Sequence, residues 1–526
     1  MRRRTTFIQP PNAPFSPDQA VLTPDALTIT NLDAVREERL TVSYDELPDD
    51  VRAVLDQYQA VHIRWATEDP YTAAAPFASR ISPGLHVFVS GKKRTEGEDA
   101  LCPLLKRVFW EEVECLSTEK SFIEPHVLSK RFSSTADSYY WSLLPFSSPL
   151  VRYIEDNICA KASDKASDNC LKLARSLYAD SIDISYDSIS RALTVSAVSS
   201  RTHGGQGWTE RITKPDGNSN DGREGIDQVE VGLLTTEKAA DQEDIKMGGL
   251  LGVVGRDEKM KPTMFSFPSR HHALPDDATY LTSFPRPRGL HPTMTLSLSP
   301  SALKVPPAPA DATCALHTYL TLPSSIFGDK HQLSTTDPLF LQSHNLAALR
   351  AVFGETDLEA PDWAVDRWGS NWLLELATPE NPEEVTGEWN VTIPLHLRYL
   401  PPSESGYRTI QVPWPVVFWA CTAEGGTKMG INPFDRVNLG WEGLFGPRTM
   451  FYQVHPGDDD DAHLVEKITV PVLQLDEEQG LFRSKTIELG TVAVIVLGFV
   501  WVLWKLGWVV SLSSSSGKKS KQGKTE

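Results

Sequence analysis

Residues 390–399 read NVTIPLHLRY. Val391, Ile393, Leu395, Leu397 and Tyr399 occupy every second position, opposite Asn390, Thr392, His396 and Arg398. A period of two belongs to a strand with one covered face and one wet face. The same rule holds on either side of this stretch. Met294, Leu296 and Leu298 alternate with Thr293, Thr295, Ser297 and Ser299, and Cys314, Leu316, Thr318, Leu320 and Leu322 form a mostly apolar set. Further runs are Ile410/Val412/Trp414/Val416/Phe418 and Ile468/Val470/Val472. Prolines, 38 against 33 glycines, break these runs and argue against a helical bundle. Short strands punctuated by proline predict an antiparallel sandwich over residues 284–490 rather than a βαβ sheet. The fold class is mainly β.

Residues 1–200 read as an α+β region. Val61/Ile63/Trp65, Leu85/Val87/Val89 and Leu193/Val195/Ala197 alternate as strands, and 161–178 has the pattern of an amphipathic helix. The stretch 106–116 has no clean period and is assigned to neither class. Between them and the sandwich, residues 201–262 hold eleven of the 33 glycines with many Asp, Asn, Glu and Lys. That composition predicts a flexible linker or insertion, because it offers little apolar surface to offset chain entropy. GGLLGVVG (248–255) lacks the glycine spacing of either phosphate-binding loop.

Residues 491–512, TVAVIVLGFVWVLWKLGWVVSL, carry a single charge, Lys505. At 1.5 Å per residue such a helix covers roughly 33 Å, enough for a hydrocarbon core of about 30 Å. Lys505 is expected to snorkel toward the nearer interface. Trp501, Trp504 and Trp508 recur at spacings of three and four and share a helical face. The tail that follows, 513–526, has four lysines and one glutamate, +3, which leaves −21 of the net −18 for the rest of the chain. The positive-inside bias places this basic tail in the cytosol and the bulk of the chain across the membrane. MRRRTTFIQPPNAPFS (1–16) contains no apolar core of a signal peptide, so a tail-anchored protein with its bulk in the cytosol is the alternative topology. Asn390-Val391-Thr392 is the one N-x-[ST] sequon with a non-proline centre, and it sides with the lumenal reading.

The acidic balance, 69 Asp+Glu against 51 Lys+Arg, disfavours a nucleic-acid partner. No G-x-S-x-G elbow and no H-E-x-x-H is present. Asp458–Asp461 contains a D-x-D pair of the kind some metal-dependent glycosyltransferases use. It follows Pro456-Gly457 and reads more simply as a solvated loop. His271-His272 adds nothing specific. The sequence therefore assigns no catalytic, cofactor or metal residue, no small-molecule substrate and no cofactor; it predicts a binding or scaffolding protein. Six cysteines, at 102, 115, 159, 170, 314 and 421, have no zinc spacing. They permit disulfides outside the cytosol, and burial as small apolar side chains accounts for them equally.

Four stretches, RGLHPTMTLSLS (288–299), CALHTYLTLPSSIFGDKHQL (314–333), NVTIPLHLRYLPPSESGY (390–407) and VPWPVVFWAC (412–421), resemble the PIG-X family, whose fungal members are the PBN-type proteins. Their order, one C-terminal membrane helix and a short basic tail are similar to that family's layout over residues 284–512. The resemblance implies a non-catalytic single-pass protein of the endoplasmic reticulum membrane, with its folded part in the lumen. It implies an accessory subunit of glycosylphosphatidylinositol (GPI) mannosyltransferase I. Such a subunit stabilises the PIG-M-type catalytic subunit, which adds the first mannose to the GPI precursor; it also implies help in the folding of other proteins there. The partners implied are that subunit and the membrane, with Gly498, Trp501, Trp504 and Lys505 as candidate contacts in the bilayer. Cys314 and Cys421 lie in matching segments and form a candidate disulfide.

Overall fold

The computed structural model describes residues 1–11, 17–91, 99–124, 136–144, 146–161, 164–200, 207–214, 228–286, 289–426, 432, 440–457, 463–474 and 484–516. It is dominated by strands. Ten of them form one sheet, in the order Lys261–Pro268, Asp244–Val253, Gln228–Glu237, Arg2–Gln9, Val35–Ser43, Ala192–Ser199, Ser181–Asp187, Ala60–Ala66, Gly84–Ser90 and Asp137–Trp141. All neighbours are antiparallel except Arg2–Gln9 with Gln228–Glu237.

The expected linker at 201–262 is corrected by this sheet. Residues 228–237 and 244–253 are interior strands, and Trp208–Thr213 pairs with Ala26–Leu32 in a three-stranded sheet. Val229, Val231 and Leu233 point one way and are buried with Leu27, Ile29 and Ile212. Among the described glycines, Gly249 serves close packing rather than flexibility. Gly249 has φ +150°, and a Cβ there would stand 2.0 Å from the Leu233 carbonyl oxygen. Residues 201–206 and 215–227 lie outside the described residues.

One face of the large sheet is covered by the helices Leu101–Val108 and Ser148–Asn157, whose Leu101, Leu105 and Val151 pack on Tyr58, Val87 and Tyr139. The helix expected over 161–178 spans Asp164–Arg175, and the stretch left unassigned at 106–116 begins inside Leu101–Val108. At the sheet's centre the basic start of the chain becomes structural. Glu38, fully buried, accepts from Arg3 Nε at 2.6 Å, Arg36 Nη2 at 2.7 Å and Thr5 Oγ1 at 3.0 Å. Arg4 reaches the equally buried Glu37 at 3.4 Å. Buried carboxylates persist only when paired in this way.

The second half builds a six-stranded sheet ordered His271–Ala273, Thr449–Gln453, Val416–Ala423, Ala312–Pro323, Gly369–Leu376, Leu346–Gly354. A four-stranded sheet is ordered Trp389–Pro394, Thr293–Leu298, Thr279–Ser283, His455–Pro456. The alternation read from sequence holds. Met294, Leu296, Leu298, Val391 and Ile393 are fully buried, while Thr293, Thr295 and Ser297 are half-buried. Two short pairings, His271–Ala273 with Thr449–Gln453 and Thr279–Ser283 with His455–Pro456, are parallel. Pro394 and the Trp414-Pro415 pair each split an expected run. Leu395 N–H turns to Pro292 O, His396–Leu397 pairs with Ile326–Phe327, and Tyr407–Pro413 separates from Val416–Ala423. Parity holds through Leu395 and Leu397, both buried, and inverts only past the end of the short His396–Leu397 pairing: Tyr399, expected inside, is 66% exposed, and Arg398, expected outside, is 2% exposed.

The expected separation of 1–200 from 284–490 is also corrected. Residues 1–399 and 410–468 form one compact unit. Tyr71, Ile81 and Ile123 share a core with Tyr319, Phe353, Phe418, Trp441 and Phe451. Gln453 exchanges hydrogen bonds with the Arg80 backbone at 2.7 and 3.0 Å, and Trp368 Nε1 donates to Ser138 O at 2.9 Å.

Residues 400–409 and 469–526 make a second unit. Within it Ser403 N–H bonds Leu473 O, and Val472 N–H bonds Gly406 O. Its helix runs Ser484–Ser516, and the 25 residues Thr486–Val510 are apolar enough to cross a membrane, with a mean hydropathy of 2.2 over an 18-residue window. This is longer than 491–512, because the helix carries through the polar residues that flank the apolar run. Of the tail at 513–526, residues 517–526 lie outside the described residues.

Candidate functional site

Asn390 sits on Trp389–Pro394, the edge strand of the four-stranded sheet. Val391 and Ile393 are buried against Leu296 and Met294 of the partner strand, which turns Asn390 to solvent. Its Oδ1 accepts from Ser297 Oγ at 2.7 Å, and its backbone oxygen accepts from Asn345 Nδ2 at 2.8 Å. Thr392, the third residue of the sequon, is half-buried on the same face.

All six cysteines are paired. Cys314 and Cys421 lie opposite each other in register on adjacent strands, Cα to Cα 4.0 Å, and their bridge closes 107 residues. Cys102–Cys115 and Cys159–Cys170 close 13 and 11 residues around the helical cover of the large sheet. Sequence reasoning did not assign these two pairs; their signal was a short spacing beside a helix, which fixes no connectivity alone.

The titratable residues make no reaction centre among the described residues. Burial pushes the imidazoles of His62, His86, His272 and His317 down to about 4, so they pack as neutral rings. His271 Nε2 stands 3.2 Å from Glu442 in a site walled by Trp441 and Phe451, with both partners buried. His291 Nδ1 and His396 Nδ1 are 3.0 Å apart, and burial together with that neighbour lowers His396. No group of three or more His, Cys, Asp or Glu among the described residues could hold a metal. Asp458–Asp461 lies outside them. A groove of about 530 Å³ opens on the large sheet between Arg4, Thr6, Glu230, Gly232, Leu251 and Lys261. Its charged groups are already engaged: Lys261 Nζ donates to Asp257 Oδ1 at 2.6 Å, and Glu230 accepts from Gln228 Nε2 at 2.9 Å.

Arg398, which sequence parity had turned outward, is anchored inside. Its Nη1 donates to Asp357 O at 2.6 Å and Ala360 O at 2.8 Å, and its guanidinium lies 4.1 Å from the Phe327 ring centre. Arg398 thus pins residues 357–360 by two backbone carbonyls.

Along the membrane helix, every described side chain of Thr486–Val510 is uncovered. Trp501, Trp504 and Trp508 are 58%, 63% and 55% exposed, and nothing lies within 4 Å of a Cβ placed on Gly498. Lys505 Nζ sits 5.6 and 5.3 Å from the ring centres of Trp504 and Trp508, within cation–π range. The residues singled out from sequence therefore lie along one apolar rod with a single cation beside its indoles.

The sequence model of the PIG-X / PBN1 family matches residues 287–507, from the four-stranded sheet into the membrane helix. Relatives extend the match across the first half as well. Protein pbn1 of Emericella nidulans is 61% identical over 98% of this chain and 97% of its own length. Protein pbn1 of Aspergillus oryzae is 59% identical over the whole of both chains. Protein pbn1 of Neurospora crassa is 38% identical over 99% and 98%. With relatives of this identity matched end to end, the chain belongs to the PIG-X / PBN1 family.

Proposed function

We propose that this chain is a non-catalytic accessory subunit of GPI mannosyltransferase I, which stabilises the PIG-M-type catalytic subunit in the endoplasmic reticulum membrane. The observation that carries the reading is family membership along the full chain, which supports a role in GPI-anchor biosynthesis. The anatomy agrees: strands, a fused core and one apolar helix suit a protein that holds another rather than one that reacts. The folded body is placed in the lumen and the tail in the cytosol. Pairing of all six cysteines supports that side, since disulfides persist in oxidising compartments. The exposed sequon Asn390 and the lysine-rich tail support it too. The helix packs beside the partner's membrane bundle through Gly498, Trp501, Trp504 and Lys505.

The test is depletion of the chain from cells. The account expects the PIG-M-type subunit to fall in amount and mannose transfer to the GPI precursor to fall with it. Normal levels of both would sink the reading. Exchanging residues 491–512 for an unrelated membrane helix tests the anchor separately; unchanged partner recovery would reduce it to a tether.

A further inference from the structure

Between the strands Leu346–Gly354 and Gly369–Leu376 the chain makes a fourteen-residue excursion, ETDLEAPDWAVDRW (355–368). Connections of that length in a compact body are unusual and commonly serve binding. This one is held down at several points. Arg398 Nη1 grips the carbonyls of Asp357 and Ala360, Ser324 Oγ donates to Asp362 Oδ1 at 2.7 Å, and Asp362 N–H bonds Tyr399 O at 3.0 Å. Trp368 closes the loop inward against Tyr140.

What the loop presents is unusual for a soluble surface. Trp363 is 62% exposed, Leu358 48% and the adjoining Tyr399 66%. Around them stand Glu355, Asp357, Glu359, Asp362 and Asp366 against one Arg367. Backbone N–H groups of Glu359 and Ala360 hold the Asp357 carboxylate below its ordinary range, which keeps the rim charged. Each large apolar side chain left in water forgoes the gain of burial, and tryptophan and tyrosine are the residues that anchor protein interfaces. A net rim charge of −4 repels an anionic surface and attracts lysine and arginine.

We propose that the 355–367 loop with Tyr399 is a docking surface for a protein segment of basic charge with an apolar tip. The assignment of that segment to the PIG-M-type subunit rests on the function proposed above. Trp363 and Leu358 insert as anchors, the carboxylates steer and fix register, and the Arg398 clamp spares the loop the ordering cost of binding.

The experiment uses the full-length chain in microsomes, solubilised in mild detergent, with recovery of the PIG-M-type subunit as readout. The Leu358→Ala/Trp363→Ala pair is expected to cut recovery at least about tenfold, the scale of truncating an aromatic anchor. Glu359→Lys/Asp366→Lys is expected to lower it as well, and wild-type recovery to fall with added salt. Ile189→Ala, at an apolar residue 93% exposed elsewhere, is expected to change nothing. A photo-crosslinking residue at 363 keeps the test independent of folding, and its adduct is expected on a Lys/Arg-rich peptide of that subunit. Wild-type recovery with both variants unaffected, or an adduct on lipid alone, overturns the docking surface. Absence of the subunit from the wild-type preparation instead overturns the accessory-subunit reading itself.

Discussion

The two halves of the folded body are stabilised in opposite ways. The large N-terminal sheet is cross-linked at its centre by ions, with Glu37 and Glu38 shut away among Arg3, Arg4 and Arg36. The C-terminal sheets are held by apolar matter, with Phe418, Trp441 and Phe451 stacked and crossed at ring separations of 4.2, 4.8 and 5.8 Å. Disulfides follow the same division: two short loops staple helices in the first half, and one bridge spans 107 residues in the second. Ion clusters demand that every partner be present, whereas apolar cores tolerate graded loss. Removing one member of the ion cluster should therefore cost stability at once, whereas trimming the apolar core should cost it in proportion to the volume removed.

The largest contrast is expected at the bridges. In the chain-entropy account, losing Cys314–Cys421 costs about 4–5 kcal/mol and losing Cys102–Cys115 about 3 kcal/mol. Unfolding midpoints of the paired serine variants check the order. Next is Glu38→Ala, which takes the buried carboxylate from Arg3 and leaves Arg36 with Glu210 alone at 2.9 Å; it should cost about 3–5 kcal/mol, against about 2–5 kcal/mol for Leu296→Ala in the other half. If Glu38→Ala costs well under about 3 kcal/mol, the contrast fails.

A smaller effect per residue comes from acid. His62, His86, His272 and His317 have folded values near 4, against 6.5 when unfolded. The neutral ring is the folded form, so this stability is complete above about pH 6.5 and drains away as pH falls from there toward 4. Each contributes on the order of 2–3 kcal/mol to the loss. Denaturant midpoints measured from pH 7 to 4 should decline, and His317→Gln should flatten the decline; a flat wild-type curve would contradict the burial assigned to these rings. The least effect is reserved for Asn390→Gln, within about 0.5 kcal/mol for an exposed edge position. Its signature is the loss of an endoglycosidase-sensitive mobility shift.

The same contrast explains what could be read in the sequence. Met294, Leu296 and Leu298 announced their strand because burial imposes a period of two on apolar side chains. The centre of the N-terminal sheet concealed itself because its inward residues are Arg, Glu and Thr, which patterning assigns to solvent. Glycines in 244–253 suggested looseness where the backbone needs close approach. Arg398 and Tyr399 exchanged faces because the pairing ends at Leu397, beyond which no ladder imposes alternation and Arg398 turns in to the carbonyls of Asp357 and Ala360, an end the alternating run did not mark. The membrane helix was plain, and the candidate residues along it were found where helical spacing put them. The fusion of the two halves was hidden, since Tyr71, Ile123 and Phe451 meet only in space.

The central claim is most directly tested by asking which side of the membrane the body occupies while it holds its partner. Sealed microsomes carrying the full-length chain would be treated with protease, and the PIG-M-type subunit then recovered through the protected fragment. The account predicts that the folded body survives, loses only its C-terminal tail, and still brings the subunit with it. Digestion of the body in intact vesicles, or a protected body that recovers no subunit, would contradict it.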